Sequence, residues 1–271
     1  MDAERVRLTG TKETLLATLH ARALDAESAS PVLGDTMAAE TVRRIDYDFR
    51  RTRVTPGNAP GVAMRARQLD AWTAEFLAAH PQATVLHLGC GLDTRVYRLD
   101  PGPGVRWYDV DYPEVMELRR RLYPSRAGYT MIPSSVTDPE WLSGVPADRP
   151  VLVVAEGLTM YLTAEDGIRL VRRLVDHFPG GELAFDVISR FGIRLQRLNA
   201  TLRSAGATLH WGVDDPRELE RVSPRLRCVA ALSVFTLPGG ERLPLGHRAL
   251  LRVVGLLPGG RRMMRLLRYR F

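Results

Sequence analysis

The stretch VLHLGCGLDTRVYRL, Val85–Leu99, passes from an apolar run to two closely spaced glycines and then to a sequence that favours a helix. Glycines let the backbone turn tightly and approach a ligand, and the start of a following helix offers free N–H groups. The pattern begins like the G-x-G-x-x-G of dinucleotide sites, but Thr94 replaces the third glycine, which such sites use for close helix–strand packing. The stretch predicts a strand–turn–helix unit at a nucleotide-like ligand, with a plain tight turn as the alternative.

The spacing of apolar residues differs before and after this stretch. Apolar residues before it recur at helical spacing, as in Leu69, Trp72 and Phe76. From residue 84 onward, short apolar runs alternate with helical stretches, which is typical of a mostly parallel sheet with crossover helices. We expect strands at 84–88, 105–110, 129–132, 151–155, 182–188, 226–235 and 263–271, and helices at 113–122, 164–178 (with Thr163 as N-cap), 190–205 and 217–222.

The chain length and the spacing of apolar residues together predict one α/β domain over residues 1–271. A helical cap is expected over residues 1–80 and a sheet-containing core over residues 84–271. The basic helical segment at about 190–212 is expected to form a lid on that core.

The formal charge of +7 is concentrated at one end of the chain. From residue 217 to the end there are twelve arginines and three glutamates, so the rest of the chain is slightly acidic. Lys12 is the only lysine, and few aromatic residues accompany the arginines, which argues against a groove for single-stranded nucleic acid. We expect a solvated basic surface, and RNA binding is the alternative.

Cysteine content and hydropathy limit the remaining classes. Cys90 and Cys228 match no metal-ligand spacing, so free buried thiols and no metal site are expected. No apolar run reaches the roughly 18 residues of a membrane helix, and the first residues lead into no signal-peptide core. The prediction is a soluble cytoplasmic protein without a membrane partner.

Carboxylates follow two predicted strands, at the edge where open α/β sheets bind ligands. Asp111 comes 22 residues after Gly89, an interval that lets an acidic residue reach the ribose of an adenosine held at the glycines. Asp109 on the same strand face is its rival, and a carboxylate that merely begins a helix is the plainer alternative. Glu156 ends the apolar fourth strand and needs a cationic partner, which is either a ligand group or an arginine.

Three motifs, LGCGLDTRVYRL, YDVDYPEV and AEGLTMYL, resemble in order and spacing those of the leucine carboxyl methyltransferase-like family. TLLATLHARAL, IDYDF and WGVDDPRELE are similar to its bacterial polyketide O-methyltransferase (tetracenomycin-type) branch. The resemblance covers most of the chain. It implies a Rossmann-like, seven-stranded class I methyltransferase sheet that binds S-adenosyl-L-methionine. The implied reaction methylates a carboxylate or phenolic hydroxyl of a small, polyketide-like molecule.

The same resemblance implies the cofactor contacts. It places Gly89 at the methionine half and Asp111 on the ribose, while Glu156 would lie near the methionine ammonium or sulfonium and Arg65 on the cofactor carboxylate. Without the resemblance, Arg65 would be interpreted as an ordinary cation on a helix surface.

Two positions depart from the family pattern. Ser135 and Val136 stand where the family often has an Asp-Leu pair against adenine, so a weaker hydroxyl contact is expected. The leucine carboxyl methyltransferases also bind the cofactor carboxylate with an N-terminal lysine. Thr18 takes that position here and Lys12 is displaced from it.

The substrate is expected near the fourth and fifth strands, in an apolar pocket closed by the cap and the lid. His210 is the first candidate for a general base, although a histidine beside a tryptophan is more often structural. The other substrate candidates are Tyr161, Asp186, Arg190 and Trp211.

Three other functions are weighed against small-molecule methylation. Methylation of a protein phosphatase C terminus fits the family but not its small-molecule branch. RNA modification would use the arginine-rich C-terminal region. A nicotinamide-dependent oxidoreductase is disfavoured by Thr94 in place of the third glycine.

Overall fold

A seven-stranded sheet forms the centre of the computed structural model, which describes residues 4–6, 10–242, 245–256 and 259–271. Its order is β3-β2-β1-β4-β5-β7-β6; β7 is antiparallel to its two neighbours and the other pairs are parallel. The strand order reverses between β1 and β4, which creates a switch point for ligand binding. The strands of this sheet are β1 (Thr84–Leu88), β2 (Arg106–Asp111), β3 (Tyr129–Pro133), β4 (Val151–Ala155), β5 (Gly181–Ile188), β6 (Arg227–Ser233) and β7 (Met264–Arg270). A separate two-stranded parallel sheet in the N-terminal region pairs Glu4–Arg5 with Ile45–Asp46.

Helices cover both faces of this sheet, so its central strands are apolar throughout. All five residues of β1 and all five of β4 are buried. Trp72 and Phe76 pack on one face of the sheet, and Leu170 and Leu174 pack on the other. The helices are α1 (Thr14–Ala26), α2 (Thr36–Arg44), α3 (Ala59–Ala79), α4 (Arg95–Leu99), α5 (Pro113–Leu122), α6 (Ala164–His177), α7 (Arg190–Arg194), α8 (Ala200–Ala205), α9 (Arg217–Glu220) and α10 (Leu245–Leu256).

The predicted α/β class and seven strands are confirmed, with boundaries that differ by at most two residues. Thr163 caps α6 as predicted, because its side chain accepts from the N–H of Asp166 at 3.1 Å. The helix predicted over 190–205 is wrong as a continuous element. Asn199 interrupts it, since its side chain accepts from the N–H groups of Thr201 and Leu202 and begins α8. Helix α10 was not predicted.

The N-terminal helices lie over the loop that follows β1. Leu16 and Leu19 of α1 form a buried cluster with Leu92 of that loop and with residues of α5. Asp35 caps α2 and also accepts a hydrogen bond from Thr94 Oγ1 at 2.7 Å. Thr94 therefore ties the glycine loop to the N-terminal helices.

Two further expectations concern the thiols and the membrane. Both cysteines are free; Cys90 is buried as expected, whereas Cys228 is only partly buried. Of the helices in the described ranges, none has the length and apolar character needed to cross a bilayer.

Candidate active site

A cavity of about 490 Å³ opens at the carboxyl ends of β1, β2, β3 and β4. Gly89, Asp111, Ser134 and Glu156, which end or follow these strands, all line it. The cavity therefore lies at the switch point of the sheet, where the strand order predicts a ligand.

The glycine loop needs its glycines for two reasons. Gly89 and Gly91 have φ values of 60° and 51°, in the left-handed region that side chains disfavour. A Cβ on Gly89 would also lie 2.9 Å from Leu158 Cδ1, closer than carbon atoms pack. The loop after β1 therefore approaches the loop after β4 closely, and both line the same cavity.

Asp111 lies at the boundary between the loop and the cavity. Its Oδ2 accepts from the N–H of Gly91 and its Oδ1 from the N–H of Tyr112, both at 2.7 Å. Burial raises the pKa of Asp111, and these two backbone donors only partly oppose the shift. Each carboxylate oxygen can accept a further hydrogen bond, so the side chain can hold the loop and bind a ligand together.

The rival carboxylate, Asp109, is fully buried and is not among the residues that line the cavity. It accepts hydrogen bonds from Trp107 Nε1 at 2.8 Å and Tyr129 Oη at 2.6 Å, and it pairs with Arg119. Burial alone would raise the pKa of Asp109, but Arg119 and His87 outweigh it and lower the pKa to about 2. Asp109 therefore stabilises the core, and Asp111 is the carboxylate that reaches the cavity.

Glu156 has two arginine partners. Its Oε1 accepts from Arg65 Nε at 2.9 Å and its Oε2 from Arg95 Nη2 at 2.6 Å. Burial disfavours the charged form, but the two guanidinium groups outweigh it and lower the pKa of Glu156. Of the two kinds of partner that the sequence allowed, arginines are present in the fold, and Glu156 still lines the cavity.

Arg65 lies at the cavity wall with its side chain only 11% exposed, so it is not an ordinary cation on a helix surface. Its Nη1 lies 3.1 Å from Asp186 Oδ2, and Glu156 holds its Nε. Asp186 is fully buried, accepts from the N–H of Gly157 at 2.7 Å, and is not among the lining residues. The expectation that Asp186 contacts substrate is corrected, because this carboxylate is occupied in holding Arg65 and the loop after β4.

Three other substrate candidates lie away from the cavity lining. Trp211 is buried in the core against Gly167, where a Cβ would lie 1.9 Å from its ring. Arg190 is an exposed side chain paired with Asp214 at 3.0 Å and Glu218 at 2.6 Å. His210 is exposed, so the general-base hypothesis for it is not supported by its position.

Comparison with known proteins agrees with the motifs. The family model for leucine carboxyl methyltransferase matches residues 15–175. The chain belongs to this family. It is 52% identical over 235 residues, 87% of each chain, to the tetracenomycin polyketide synthesis O-methyltransferase TcmP of Streptomyces glaucescens. It is 43% identical over 249 residues, 84% of this chain and 83% of the relative, to the S-adenosyl-L-methionine-dependent methyltransferase dpfgK of Gibberella zeae.

Solved structures share the fold. The plantazolicin methyltransferase BamL matches with a TM-score of 0.52 at 12% identity, over 96% of each chain. The magnesium protoporphyrin IX methyltransferase of Synechocystis PCC 6803 matches with a TM-score of 0.50 at 12% identity, over 82% of this chain and 93% of that chain. The protein is thus an S-adenosyl-L-methionine-dependent O-methyltransferase with the class I fold, as the motifs predicted.

In this methyltransferase, a buried charge network that the sequence did not reveal lies beneath the cavity. Arg95 and Arg98 both bind Asp70, at 2.7 Å and 2.6 Å, and Arg98 also binds Asp35 at 3.0 Å. The three-residue spacing of the two arginines, which places them on one helix face, was the available signal. Two arginines in a short helix are ordinarily solvated, so the signal is weak.

Two N-terminal residues also line the cavity of the methyltransferase. Thr18 does so, as its position in the family pattern suggests, and so does Lys12, although it is displaced from that position in the sequence. Lys12 pairs with Glu114, and its Nζ lies 4.5 Å from the centre of the Tyr112 ring. Lys12 therefore stands beside Asp111, on the wall formed by the end of β2.

One end of the cavity is apolar. Met160, Leu202 and Leu209 form a buried cluster, and Ile188 and Met264 pack against it. All five residues line the cavity, as does Tyr161. The cavity therefore changes along its length from charged and hydrogen-bonding groups to a hydrophobic wall.

Proposed function

We propose that this methyltransferase methylates an oxygen of a small, largely apolar, polyketide-like molecule. The observation that carries the proposal is the division of the cavity into a polar end, with Asp111 and Arg65, and an apolar end, with Met160 and Leu209. A charged nucleoside–amino acid cofactor suits the first end and a flat hydrophobic substrate suits the second. The Streptomyces relative, an O-methyltransferase of tetracenomycin polyketide synthesis, supports the same substrate class.

The adenosine half of S-adenosyl-L-methionine fits the residues after β1, β2 and β3. Asp111 would accept from the ribose hydroxyls with the lone pairs that its backbone donors leave free. Gly89 would allow close approach, since any side chain there would occupy the space beside Leu158. Ser135 and Val136 line the same cavity and would contact adenine through a hydroxyl and an apolar surface.

The methionine half fits the residues after β4. Arg65 has five N–H donors, and Glu156 and Asp186 engage two of its nitrogens, so others remain for the cofactor carboxylate. Glu156 would accept from the cofactor ammonium group, since each oxygen has spare acceptor capacity. S-adenosyl-L-methionine, when bound, supplies an electrophilic sulfonium methyl group.

The apolar end favours a substrate oxygen that arrives already ionised. Among the described residues of that wall, none is a histidine, lysine or carboxylate. Burial raises the pKa of Tyr161, and Thr14 and Arg65 oppose this only in part, so its hydroxyl stays protonated at neutral pH. A carboxylate needs no base and is the favoured nucleophile; a phenol is the second candidate. Alignment of the reacting atoms would then supply most of the rate, on the order of 7–11 kcal/mol.

The cap and the lid would close this pocket as parts of one domain spanning residues 1–271. Thr201 Oγ1 donates to the carbonyl of Thr52 at 3.0 Å, and Ser204 Oγ donates to that of Arg51 at 2.6 Å. Helix α8 of the lid is thus hydrogen-bonded to the N-terminal segment, above the apolar end. This arrangement supports exclusion of water during transfer.

The arrangement of the C-terminal arginines argues against RNA as the partner. Arg268 and Arg270 both bind Glu182, at 2.6 Å and 3.0 Å. Arg225 and Arg265 donate to backbone carbonyls. Since these four arginines are engaged within the fold, steep salt-dependent RNA binding is not expected, and a filter-binding salt series would detect it.

The test is transfer of a labelled methyl group to a panel of aromatic carboxylic acids and their phenolic counterparts. We expect carboxylates to be methylated at a rate that is flat between neutral and alkaline pH. A phenol-only product, at a rate that rises with pH, would favour the second candidate. Absence of transfer to both classes, in an enzyme that binds S-adenosylhomocysteine, would refute the substrate proposal.

A pair of matched variants locates the substrate site. Leu209→Ala should raise the KM for the substrate, while the affinity for S-adenosylhomocysteine stays unchanged. Leu237 is buried to the same degree but belongs to a cluster outside the cavity, so Leu237→Ala should lower stability without changing this KM. Equal changes of KM in both variants would contradict the assigned pocket.

A further inference from the structure

Arg95 links the two halves of the cavity from beneath it. Its side chain is fully buried at the start of α4 and is not among the residues that line the cavity. Its Nη2 donates to Glu156 Oε2 at 2.6 Å, and its Nε donates to Asp70 Oδ1 at 2.7 Å. One guanidinium group thus connects the element that follows the glycine loop to the carboxylate that follows β4.

The same carboxylate carries the contact onward to Arg65. Glu156 uses Oε1 for Arg65 and Oε2 for Arg95, so its plane is held from both sides. Arg65 in turn lies 3.1 Å from Asp186 Oδ2. Removal of Arg95 would leave Glu156 Oε2 buried without its strongest donor, and the side chain would be free to turn away from Arg65.

We propose that Arg95 is a positioning residue for the methionine half of the cofactor. It acts through Glu156, which it orients toward Arg65 and the amino-acid end of the cavity, and it has no part in binding the adenosine half. The inference rests on the cofactor placement given under the proposed function.

Arg98 provides a matched control within the same network. It is nearly buried and binds Asp70, as Arg95 does, and its other carboxylate partners are Asp35 and Asp93. Glu156 is not among its ion-pair partners. A change at Arg98 therefore disturbs the buried charges, including Asp70, but removes no direct contact to Glu156.

The experiment compares two ligands that differ only in the amino-acid portion. Titration calorimetry with S-adenosylhomocysteine and with 5′-methylthioadenosine is carried out on the wild type, Arg95→Lys and Arg98→Lys. Lysine keeps the charge but cannot span two carboxylates as a guanidinium does. We expect Arg95→Lys to weaken the binding of S-adenosylhomocysteine about tenfold or more and to leave the affinity for 5′-methylthioadenosine unchanged. Arg98→Lys should leave the ratio of the two affinities as in the wild type.

The inference would be overturned if Arg95→Lys weakened the binding of both ligands equally, or if the ratio of the two affinities were the same in both variants. Arg95 would then have a purely structural role. A wild type that binds neither ligand would instead refute the cofactor placement. If Arg95→Lys does not fold, Arg95→Gln removes the guanidinium group while leaving Glu156 itself intact. That variant should show the same selective loss of S-adenosylhomocysteine, and an unchanged ratio in it would also overturn the inference.

Discussion

The Asp111 carboxylate accepts a hydrogen bond from the N–H of Gly91 at 2.7 Å, so the end of β2 holds the glycine loop that follows β1. The backbone N–H of Tyr112 holds the other oxygen at the same distance. This geometry makes one side chain both a support of the loop and an acceptor at the cavity. The two roles predict separately how cofactor binding responds to removal of the Asp111 charge and how stability responds to a side chain at Gly89.

Asp111→Asn should weaken S-adenosylhomocysteine binding by about 10- to 100-fold, because hydrogen bonds to a charged acceptor contribute roughly 1.5–3 kcal/mol. Titration calorimetry measures the change. Asp109→Asn is the control: it should lower the free energy of unfolding and affect binding only through stability, since Asp109 lies outside the cavity wall. Unchanged affinity in Asp111→Asn would mean that another group binds the ribose.

Gly89→Ala should lower the free energy of unfolding by about 1–3 kcal/mol and strongly weaken cofactor binding. The new methyl group would face Leu158 at 2.9 Å on a backbone whose φ is 60°. Gly144→Ala is the matched control, because no atom lies within 4 Å of the added Cβ and its φ is ordinary. Urea unfolding and calorimetry of both variants check the prediction; equal stability in the two variants would contradict it.

His210→Ala should leave kcat and its pH dependence unchanged, because the side chain is exposed and is not among the residues that line the cavity. Steady-state kinetics from about pH 6 to about pH 9 would reveal a titrating base. Loss of a kinetic pKa in this variant would restore His210 as the general base.

Acid should remove a contribution of Asp109 to stability. The pKa of Asp109 is lowered to about 2 from an ordinary 3.8, so its stabilisation is fully present above the unfolded pKa and is lost as the pH falls from about 4 through 2. The amount is about 2 kcal/mol. The difference in unfolding free energy between the wild type and Asp109→Asn should therefore narrow over this range, as urea unfolding at several pH values would show. A difference that stays constant with pH would refute it.

The sequence by itself determined the sheet and the family of this protein. Strands β1 and β4 are covered on both faces, so they are unbroken apolar runs that are visible without a structure. The turn after β1 needs a backbone that only glycine adopts readily, so Gly89 and Gly91 mark it in the sequence. Each of these signals lies within a short stretch of sequence, so the strands and the turn can be recognised without a structure.

Only the tertiary structure decided which charged residues serve the cavity. Asp109 and Asp111 are two residues apart and share one face of β2, so periodicity cannot separate them; their depth relative to the strand end does. Arg65 and Glu156 are 91 residues apart, and Arg95 and Glu156 are 61 apart. A buried charge needs a partner, but the partner is chosen by which helices and loops pack together, and no local pattern records that choice.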